Sequence, residues 1–466
     1  MKRTLLSIIL SSLLLLPAYA QQQIPQFKAG DRVALVGDSI THGGHYHSYI
    51  WLYYMTRFPN MPLTLLNCGV GGDTAWDIVS RWQYDVVEKN PTYVTLTFGM
   101  NDTGYIDVYN RDGSEELASQ RVEKALAGLA EMEKSLEKDF PGAEIVMIGG
   151  SPYDETTRFN NGALKDKNAA ICEVIEGQRR SAQEHGWGFV DFNGPMVEIG
   201  LAEQAKDSSF SFSRQDRIHP DQDGQMVMAY LFLKAQGLAG RKVAHIGINA
   251  RKKKVTEQEY CRITSLKADK DGLSFDYLAE SLPYPCDSIS EHGWANIRSQ
   301  RDAMSLVPFM EEFNQETLCI EGLSEGTYRL AIDYETIGSF TSSQLAQGIN
   351  LAAFVNTPQY RQASAIMYLN EERFEVEKRM REYIWMQSNM FRDTDQIFKD
   401  DSRSIEMVNR RAIKDPFVSM SNYWYRKSYF PEIREVWQDY MDKLVETIYS
   451  INKPLTRKVL LEKTQD

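Results

Sequence analysis

The sequence predicts an α/β fold in which a parallel β-sheet carries helices on both faces, followed by a C-terminal accessory region of strands and then helices. Two observations predict it. Residues 32–238 alternate short apolar runs with longer helical patterns, and parallel neighbouring strands need crossover connections of that kind. Beyond residue 240 the alternation stops, and short strand patterns give way to long charged and aromatic helical patterns.

The predicted sheet has five strands, each short and apolar in the way of strands buried on both faces. The strands are residues 33–37, 63–67, 93–98, 144–148 and 188–191. The helical patterns cover residues 46–57, 75–89, 115–138, 164–184 and 222–236. A sheet of this kind binds its ligand beyond the carboxyl ends of its strands. Functional residues are therefore expected where the strands end.

The second half of the chain is predicted to begin after a charge run at residues 251–254, which we interpret as a solvated linker. Strand patterns then cover residues 260–265, 273–278, 317–323 and 327–334. Helical patterns predominate from residue 359, for example at 372–390 and 435–451. The predicted organisation is a signal peptide at 1–20, an α/β region at 21–245, a small β-rich region at 255–355 and a helical region at 356–466.

The C-terminal regions are rich in aromatic residues. Residues 421–426, which include Trp424, lack a clear amphipathic period and are predicted to form a loop between helices. We expect that loop to contact a polymer or the α/β region. We expect everything after residue 250 to be an accessory region that shapes the ligand cleft and supplies no catalytic group.

Composition and charge restrict the class of protein. The 466 residues are enough for two or three domains, and 42% apolar with 25% charged residues is ordinary globular composition. The net charge of −12 gives no basic surface for nucleic acid, so no nucleic-acid partner is expected. The sequence leaves the oligomeric state open.

The first twenty residues are typical of a secretory signal peptide. Lys2 and Arg3 precede an apolar run at residues 5–16, and a small-x-small site ends at Ala20. We predict cleavage after Ala20 and a periplasmic or secreted protein. The alternative is an N-terminal membrane anchor, but the run is shorter than the about 20 residues that span a bilayer. No integral membrane segment is expected once the signal is removed.

The cysteines do not form a disulfide scaffold, because five is an odd number and small for a chain of this length. Three of them lie after residue 255, so one bridge in that region is conceivable in an oxidising compartment. The cysteines are Cys68, Cys172, Cys261, Cys286 and Cys319.

Four short motifs stand at strand ends or just before the last helix of the α/β region. They read Gly37-Asp38-Ser39-Ile40, Gly69-Val70-Gly71-Gly72-Asp73-Thr74, Gly99-Met100-Asn101-Asp102 and Asp216-Arg217-Ile218-His219. The first supplies a hydroxyl, the second glycines whose backbone N–H groups approach a ligand closely, and the third a side-chain amide. In the fourth, an Asp and a His three residues apart can turn toward each other. Taken singly, each motif is also typical of an ordinary turn.

In order and placement, these motifs resemble the four blocks of the SGNH or GDSL hydrolases over residues 31–240. The resemblance implies a three-layer α/β/α, flavodoxin-like fold and a catalytic site of Ser39, His219 and Asp216. A serine hydroxyl is a poor nucleophile at neutral pH, so His219 would take its proton while Asp216 orients the imidazole. No cofactor and no metal is expected for this chemistry.

Such a site also needs hydrogen-bond donors for the negatively charged oxygen of the tetrahedral intermediate. The predicted donors are the N–H groups of Ser39 and Gly72 and the side-chain amide of Asn101. Gly71 is the alternative to Gly72, because either glycine could match the family's second block. Asp38 and Asp102, which lie inside the motifs, are predicted to fix loops rather than to act as acid or base.

Several residues near the motifs are candidates for substrate binding. His42, His45 and His47 cluster after Ser39, but spacings of three and two differ from the i, i+4 pairing of a zinc protease, so no metal site is predicted. His42 is a candidate for substrate contact, with a loop-stabilising hydrogen bond as the alternative. Trp76 and Tyr105 are candidates for stacking on a sugar ring, and Trp76 is equally consistent with a core position.

The resulting functional hypothesis is a secreted serine esterase that removes O-acetyl groups from carbohydrate. An acidic, exported enzyme with aromatic residues near its motifs suits an acylated carbohydrate or another small ester. Two alternatives remain at this point: a lipase, lysophospholipase or thioesterase acting on acyl lipids, and a carbohydrate-binding protein without turnover.

Overall fold

The computed structural model describes residues 23–159, 162–269, 272–289 and 297–464. The predicted signal peptide lies outside the described residues. In the described part of the chain, no helix is long and apolar enough to cross a membrane.

The first sheet is the predicted parallel one, with strand order β2-β1-β3-β4-β5. Its strands are β1 (Arg32–Gly37), β2 (Thr64–Gly69), β3 (Tyr93–Leu96), β4 (Glu144–Gly149) and β5 (Gly188–Asp191). Strand β1 pairs with β2 on one side and with β3 on the other, so the winding of the chain reverses there. Ligands bind such sheets at this switch point, and the first and third motifs follow β1 and β3.

Helices connect these strands, and the predicted α/β class is confirmed. They are α1 (Ser39–His42), α2 (Tyr46–Arg57), α3 (Ala75–Asp85), α4 (Ser114–Asp139), α5 (Lys167–His185), α6 (Asn193–Gln204) and α7 (Gln222–Ala235). Helix α3 continues into a 3₁₀ turn at Val87–Lys89. The short α1 and α6 were not predicted, because four residues are too few for a period and α6 has weak amphipathicity.

Two further sheets follow, with orders β13-β10-β6-β7 and β12-β11-β14-β9-β8. Their strands are β6 (Ala244–Asn249), β7 (Lys254–Glu259), β8 (Cys261–Ala268), β9 (Gly272–Ala279), β10 (Glu316–Glu321), β11 (Thr327–Ile332), β12 (Glu335–Thr341), β13 (Ile349–Asn350) and β14 (Arg457–Lys463). The two sheets share one apolar core. The charge run at 251–254 is not a domain linker, because it forms the turn between the paired strands β6 and β7.

The helices of the second half are α8 (Phe309–Phe313), α9 (Ser342–Gln347), α10 (Pro358–Met386), α11 (Ser402–Ala412), α12 (Pro416–Ser428) and α13 (Pro431–Ile451). A π-helical turn at Gln387–Phe391 extends α10, and 3₁₀ turns lie at Gln300–Ser305 and Leu351–Ala353. The helices predicted within 356–466 end at Ile451, and the chain then returns to the β region as β14.

The aromatic stretch around Trp424 is helical, which corrects the prediction of a loop. Asp415 caps α12 by accepting from two backbone N–H groups, and Pro416 stands at its first position. The buried residues Val418, Ser421 and Tyr425 follow helical spacing. Three consecutive aromatic residues followed by two basic ones, at 423–427, hid this period in the sequence.

All five cysteines are free thiols, so the disulfide that was conceivable after residue 255 does not form. Cys286 is buried, while Cys261 and Cys319 are half-buried on strands β8 and β10. The folded chain therefore depends on packing rather than on a covalent cross-link.

Residues beyond 240 complete the core of the first sheet's layer of helices. Phe313 is fully buried, with its ring 5.7 Å from that of Tyr53 on α2 and 5.6 Å from that of Tyr230 on α7. The buried guanidinium of Arg57 donates to the carbonyls of Phe313, Arg241 and Lys242. The accessory regions are therefore continuous with the α/β region and do not form a separate body.

We predict that Phe313→Ala destabilises the whole protein by about 3–5 kcal/mol, as expected for deleting a buried phenyl ring. Urea unfolding followed by both fluorescence and circular dichroism should show one transition at a lower midpoint. Phe417→Ala is the control, because that ring is 64% exposed and its loss should change stability by less than about 0.5 kcal/mol. Independent unfolding of the two halves would contradict the shared core.

Candidate active site

The serine begins α1, directly after the tight turn that follows β1. The Asp38 carboxylate accepts the backbone N–H of Ile40 at 2.9 Å and caps the helix, so it fixes the loop as predicted. A Cβ atom at Gly37 would lie 2.3 Å from the Thr41 hydroxyl oxygen, so only glycine fits there. Ser39 is the first residue of α1, and an N–H at that position has no acceptor within the helix.

His219 connects the serine to a carboxylate. Its Nε2 atom lies 2.8 Å from Ser39 Oγ, and its Nδ1 atom lies 2.5 Å from Asp216 Oδ2. The other oxygen of Asp216 accepts the backbone N–H groups of Ile218 and His219 at 2.8 and 2.9 Å. The structure thus brings the three predicted catalytic residues together in one hydrogen-bonded chain.

Asp216 is held in its charged form. Burial alone would raise the pKa of this carboxyl, but the hydrogen bond and charge of His219 and the two backbone N–H groups lower it below its usual value. An ionised Asp216 accepts from the Nδ1–H of His219, which leaves Nε2 as the nitrogen that faces the serine hydroxyl.

Arg217 gives the Asp216–His219 loop its shape. Its φ of +69° lies in the left-handed region, which is uncommon for a residue with a side chain. The guanidinium donates to the carbonyls of Asp154, Thr157 and Phe159, and these three bonds hold the strained conformation. Sequence reasoning assigned no role to this residue.

The glycine loop favours Gly72 over Gly71 as an oxyanion donor. The N–H of Gly71 donates to His42 Nδ1 at 3.2 Å and is therefore occupied. Gly72 is exposed at a φ of +87°, and its N–H donates to no acceptor in the described part of the chain. A free donor is what the intermediate's oxygen needs.

The Asn101 side chain is fixed with its nitrogen toward the glycine loop. Its Nδ2 donates to the Asp73 carbonyl at 2.9 Å, and its Oδ1 accepts the Tyr105 hydroxyl at 2.8 Å. An amide nitrogen has two N–H groups, so one remains for a ligand. Tyr105 is the residue that was predicted to stack on a sugar ring. Its hydroxyl hydrogen bond orients the Asn101 side chain.

Two protein families match separate parts of this chain. Residues 35–227 match the model of the GDSL-like lipase/acylhydrolase family, and residues 364–453 match the diltiazem deacetylase C-terminal helical domain. BT4096, described as a gut microbial diltiazem-metabolizing enzyme, has a solved structure that is 48% identical, covers 95% of this chain and 100% of its own, and superposes with a TM-score of 0.92. The chain belongs to the GDSL-like lipase/acylhydrolase (SGNH) family. It is a carboxylic ester hydrolase of the GDSL type.

More distant relatives match less than half of the chain. An acetylxylan esterase of Geobacillus stearothermophilus is 24% identical over 224 residues, which are 45% of this chain and 95% of the esterase. The solved structure of Axe2, an acetylxylan esterase from the same organism, is 19% identical, covers 45% of this chain and 95% of its own, and has a TM-score of 0.36.

A buried ion network lies under the glycine loop of this SGNH site. The Asp85 carboxylate accepts one hydrogen bond from Arg81 at 2.6 Å. It also accepts two from Arg381, at 2.6 Å each. Arg81 also donates to the Asp73 carboxylate and to the Gly37 carbonyl, directly before the serine motif. Burial alone would raise the pKa of Asp85, but Arg381, Lys89 and Arg81 hold it well below its usual range.

Lys167 supports the Asn101 loop from below. Its buried ammonium donates to the carbonyls of Met100 and Gly104 at 2.7 Å and to the Thr103 hydroxyl at 2.9 Å. Burial lowers the pKa of Lys167 to about 7. Asp102 holds the same loop by accepting the N–H groups of Ala75 and Gly99, as predicted for a loop-fixing carboxylate.

The other residues predicted to contact substrate differ in their exposure to solvent. His42 is buried beneath the glycine loop, where it forms the loop-stabilising hydrogen bond that was the alternative to substrate contact. Trp76 is 39% exposed and donates to the Lys124 carbonyl, so it is not a core residue. His45 packs against Phe374.

His47, the third histidine of the cluster, is also buried. Its Nε2 lies 3.0 Å from the Thr41 carbonyl, so its ring, like that of His42, faces groups of the protein. Burial lowers the pKa of His47 to about 4, and the same cause acts on His42 and His45. These rings are therefore neutral at physiological pH and serve the packing of α1 and α2.

Proposed function

We propose that this SGNH hydrolase is a serine acetylesterase in which Ser39, His219 and Asp216 perform the reaction. The observation that carries the proposal is the unbroken hydrogen-bonded chain from Ser39 Oγ through both nitrogens of His219 to Asp216. The serine and histidine are only partly buried, so an ester can reach them.

In the first half of the reaction, Ser39 Oγ forms a bond to the ester carbonyl carbon while its proton passes to His219 Nε2. The carbonyl π electrons move onto oxygen and give a tetrahedral oxyanion. When this oxyanion collapses, the bond to the alcohol oxygen breaks, and that oxygen takes the proton from His219. The products are the free alcohol and an acetyl group on Ser39.

In the second half, water replaces the alcohol. His219 takes one proton from the water as its oxygen attacks the acetyl carbonyl, and this proton then passes to Ser39 Oγ as the bond from Oγ to the acetyl carbon breaks. Acetic acid leaves and releases its proton to the solvent to give acetate. Asp216 stays ionised throughout and stabilises the imidazolium that forms twice in each cycle.

The oxyanion forms in both halves, and three donors are available for it. They are the N–H of Ser39, the N–H of Gly72 and the second N–H of the Asn101 amide. Loss of one preorganised donor typically raises the barrier by about 2.7–4 kcal/mol. The bonds from Asn101 to Asp73 and from Tyr105 to Asn101 fix one of these donors before substrate binds.

Two observations support acetyl esters of small alcohols as substrates. The 48% identical relative is described as diltiazem-metabolizing, and the family matched by the C-terminal helices bears the name of a diltiazem deacetylase. In addition, Ile106 is 81% exposed one residue after Tyr105, and Trp76 is also exposed beside the glycine motif. Exposed apolar side chains near the oxyanion residues suit an apolar alcohol group.

O-acetylated carbohydrate is the second candidate substrate. The acetylxylan esterase relative supports it, since that relative is 24% identical over 224 residues. The exposed indole of Trp76 is also suited to stacking on a sugar ring. Both candidates share the acetyl group and differ in the alcohol.

We predict that Ser39→Ala leaves a folded protein whose turnover of p-nitrophenyl acetate falls by about 10⁴- to 10⁶-fold, as for removal of a triad nucleophile. The matched control is Ser419→Ala on the exposed face of α12, which should retain full activity. Steady-state rates and thermal unfolding of both variants check the prediction. Undiminished turnover by Ser39→Ala would refute the serine mechanism.

We further predict a preference for short acyl groups. Rates should fall along p-nitrophenyl acetate, butyrate and octanoate, and acetate should be released from diltiazem or from acetylated xylo-oligosaccharides. Whichever of diltiazem and the xylo-oligosaccharides is hydrolysed with the higher kcat/KM identifies the class of alcohol. Preference for octanoate would instead support a lipase or thioesterase, and absence of turnover on every ester would support a binding protein.

We also propose that the chain is exported to the periplasm or secreted after cleavage behind Ala20. The charged start, apolar run and small-x-small site support this. Expression of the full sequence in a bacterium, followed by N-terminal sequencing of the mature protein, should give Gln21 as the first residue. An intact N-terminus retained in the membrane fraction would support the anchor alternative.

A further inference from the structure

Helix α10 runs along the edge of the catalytic sheet. Strand β2 is an edge strand, with β1 as its one neighbour among the described strands. Every fourth residue of α10 reaches every second residue of β2 and the loop after it: Glu377 accepts the N–H of Asn67, Arg381 donates to the carbonyl of Gly69, and Trp385 donates to the carbonyl of Gly71.

The spacing of these contacts along α10 matches their spacing along β2. Four residues of an α-helix rise about 6 Å, and two residues of a strand extend about 6.6 Å. The pairing can therefore continue in step from the strand into the glycine loop. The last contact of the series is the indole N–H of Trp385, 3.0 Å from the Gly71 carbonyl oxygen.

This last contact acts on the peptide group that carries the Gly72 N–H. The carbonyl of Gly71 and the N–H of Gly72 belong to one planar trans peptide and point in opposite directions. Fixing the carbonyl oxygen on Trp385 therefore fixes the direction of the Gly72 N–H, which points away from α10. Two consecutive glycines give this peptide little resistance of its own to rotation.

The preceding peptide is held as well. The N–H of Gly71 donates to His42 Nδ1 at 3.2 Å, and His42 Nε2 lies 3.6 Å from the Glu382 carboxylate, again on α10. Burial lowers the pKa of His42 to about 3, so Nδ1 remains an acceptor over the working pH range. Both polar groups of Gly71 are thus engaged, and Gly72 is left with a free N–H.

We propose that Trp385 is a positioning residue for the oxyanion hole, through which the C-terminal helical region aligns the Gly72 N–H. The inference rests on the proposed serine mechanism and adds that the helical region takes part in transition-state stabilisation without touching substrate. In its absence the Gly71–Gly72 peptide samples rotated conformations in which the N–H points away from the intermediate.

The test removes the indole N–H and keeps the ring. In Trp385→Phe, kcat for p-nitrophenyl acetate should fall about 5- to 100-fold, less than the about 10²- to 10³-fold for complete loss of a donor. KM should change by less than about twofold, because the ground-state ester does not need the oxyanion donor. Trp437→Phe on α13 is the control and should retain wild-type kcat.

Replacement of residue 385 by benzothienylalanine provides a second variant, because it exchanges only the indole N–H for sulfur and preserves shape. Binding of methylboronic acid supplies a readout that a packing role would not change. This acid forms a tetrahedral adduct on the serine, so its Ki should rise by the same factor by which kcat/KM falls. Thermal unfolding of the benzothienyl variant should stay close to wild type.

The outcomes separate the two proposals. Wild-type protein that neither hydrolyses the ester nor binds the boronic acid refutes the serine mechanism. Active wild-type protein, together with unchanged kcat and unchanged boronic acid Ki in the benzothienyl variant, refutes the role of Trp385 alone. A parallel loss in kcat/KM and boronic acid affinity at constant KM supports it.

Discussion

The carboxylate of Asp85 fixes the active site to the rest of the molecule. It is fully buried between Arg81 and Arg381, and both of its oxygens accept charge-assisted hydrogen bonds. Burying ions is costly unless each one is paired and hydrogen-bonded, so the pairs define one arrangement of the surrounding chain. Through Arg81 that arrangement includes the turn before Ser39, and through Arg381 it includes the glycine loop and α10.

The same contacts with α10 also protect the exposed edge of the parallel sheet. An edge strand presents unpaired backbone groups that invite pairing with another chain. Here the edge strand β2 is covered by α10, whose polar side chains bond its outward N–H and C=O groups. The same cover reaches the glycine loop, so protection of the edge and shaping of the oxyanion hole are achieved by one helix.

The features that could be predicted from the sequence are those that short local motifs encode. The parallel sheet and the Ser39–His219–Asp216 arrangement follow from strand-end motifs, because carboxyl ends of parallel strands meet at one edge. The roles of Arg381 and Trp385 were not predicted. Their hydrogen bonds join residues more than 300 positions apart in the sequence, and a local sequence pattern does not indicate such a contact. Lys167 gave no signal of its own, because it lies among the charged and polar residues at 165–168. The strand β14 was not predicted because it is short, and its apolar residues at 459–461 lie between charged residues as they would at the end of a helix.

The position of β14 has a consequence for biosynthesis. It is the middle strand of the five-stranded sheet, between β11 and β9, yet the helices α10 to α13 separate it from both of them along the chain. During translation, β9 and β11 leave the ribosome long before their common neighbour. Pairings between such distant segments form slowly. The β region therefore closes only after residues 457–463 have been made, and a chain that lacks them has a sheet without its central strand.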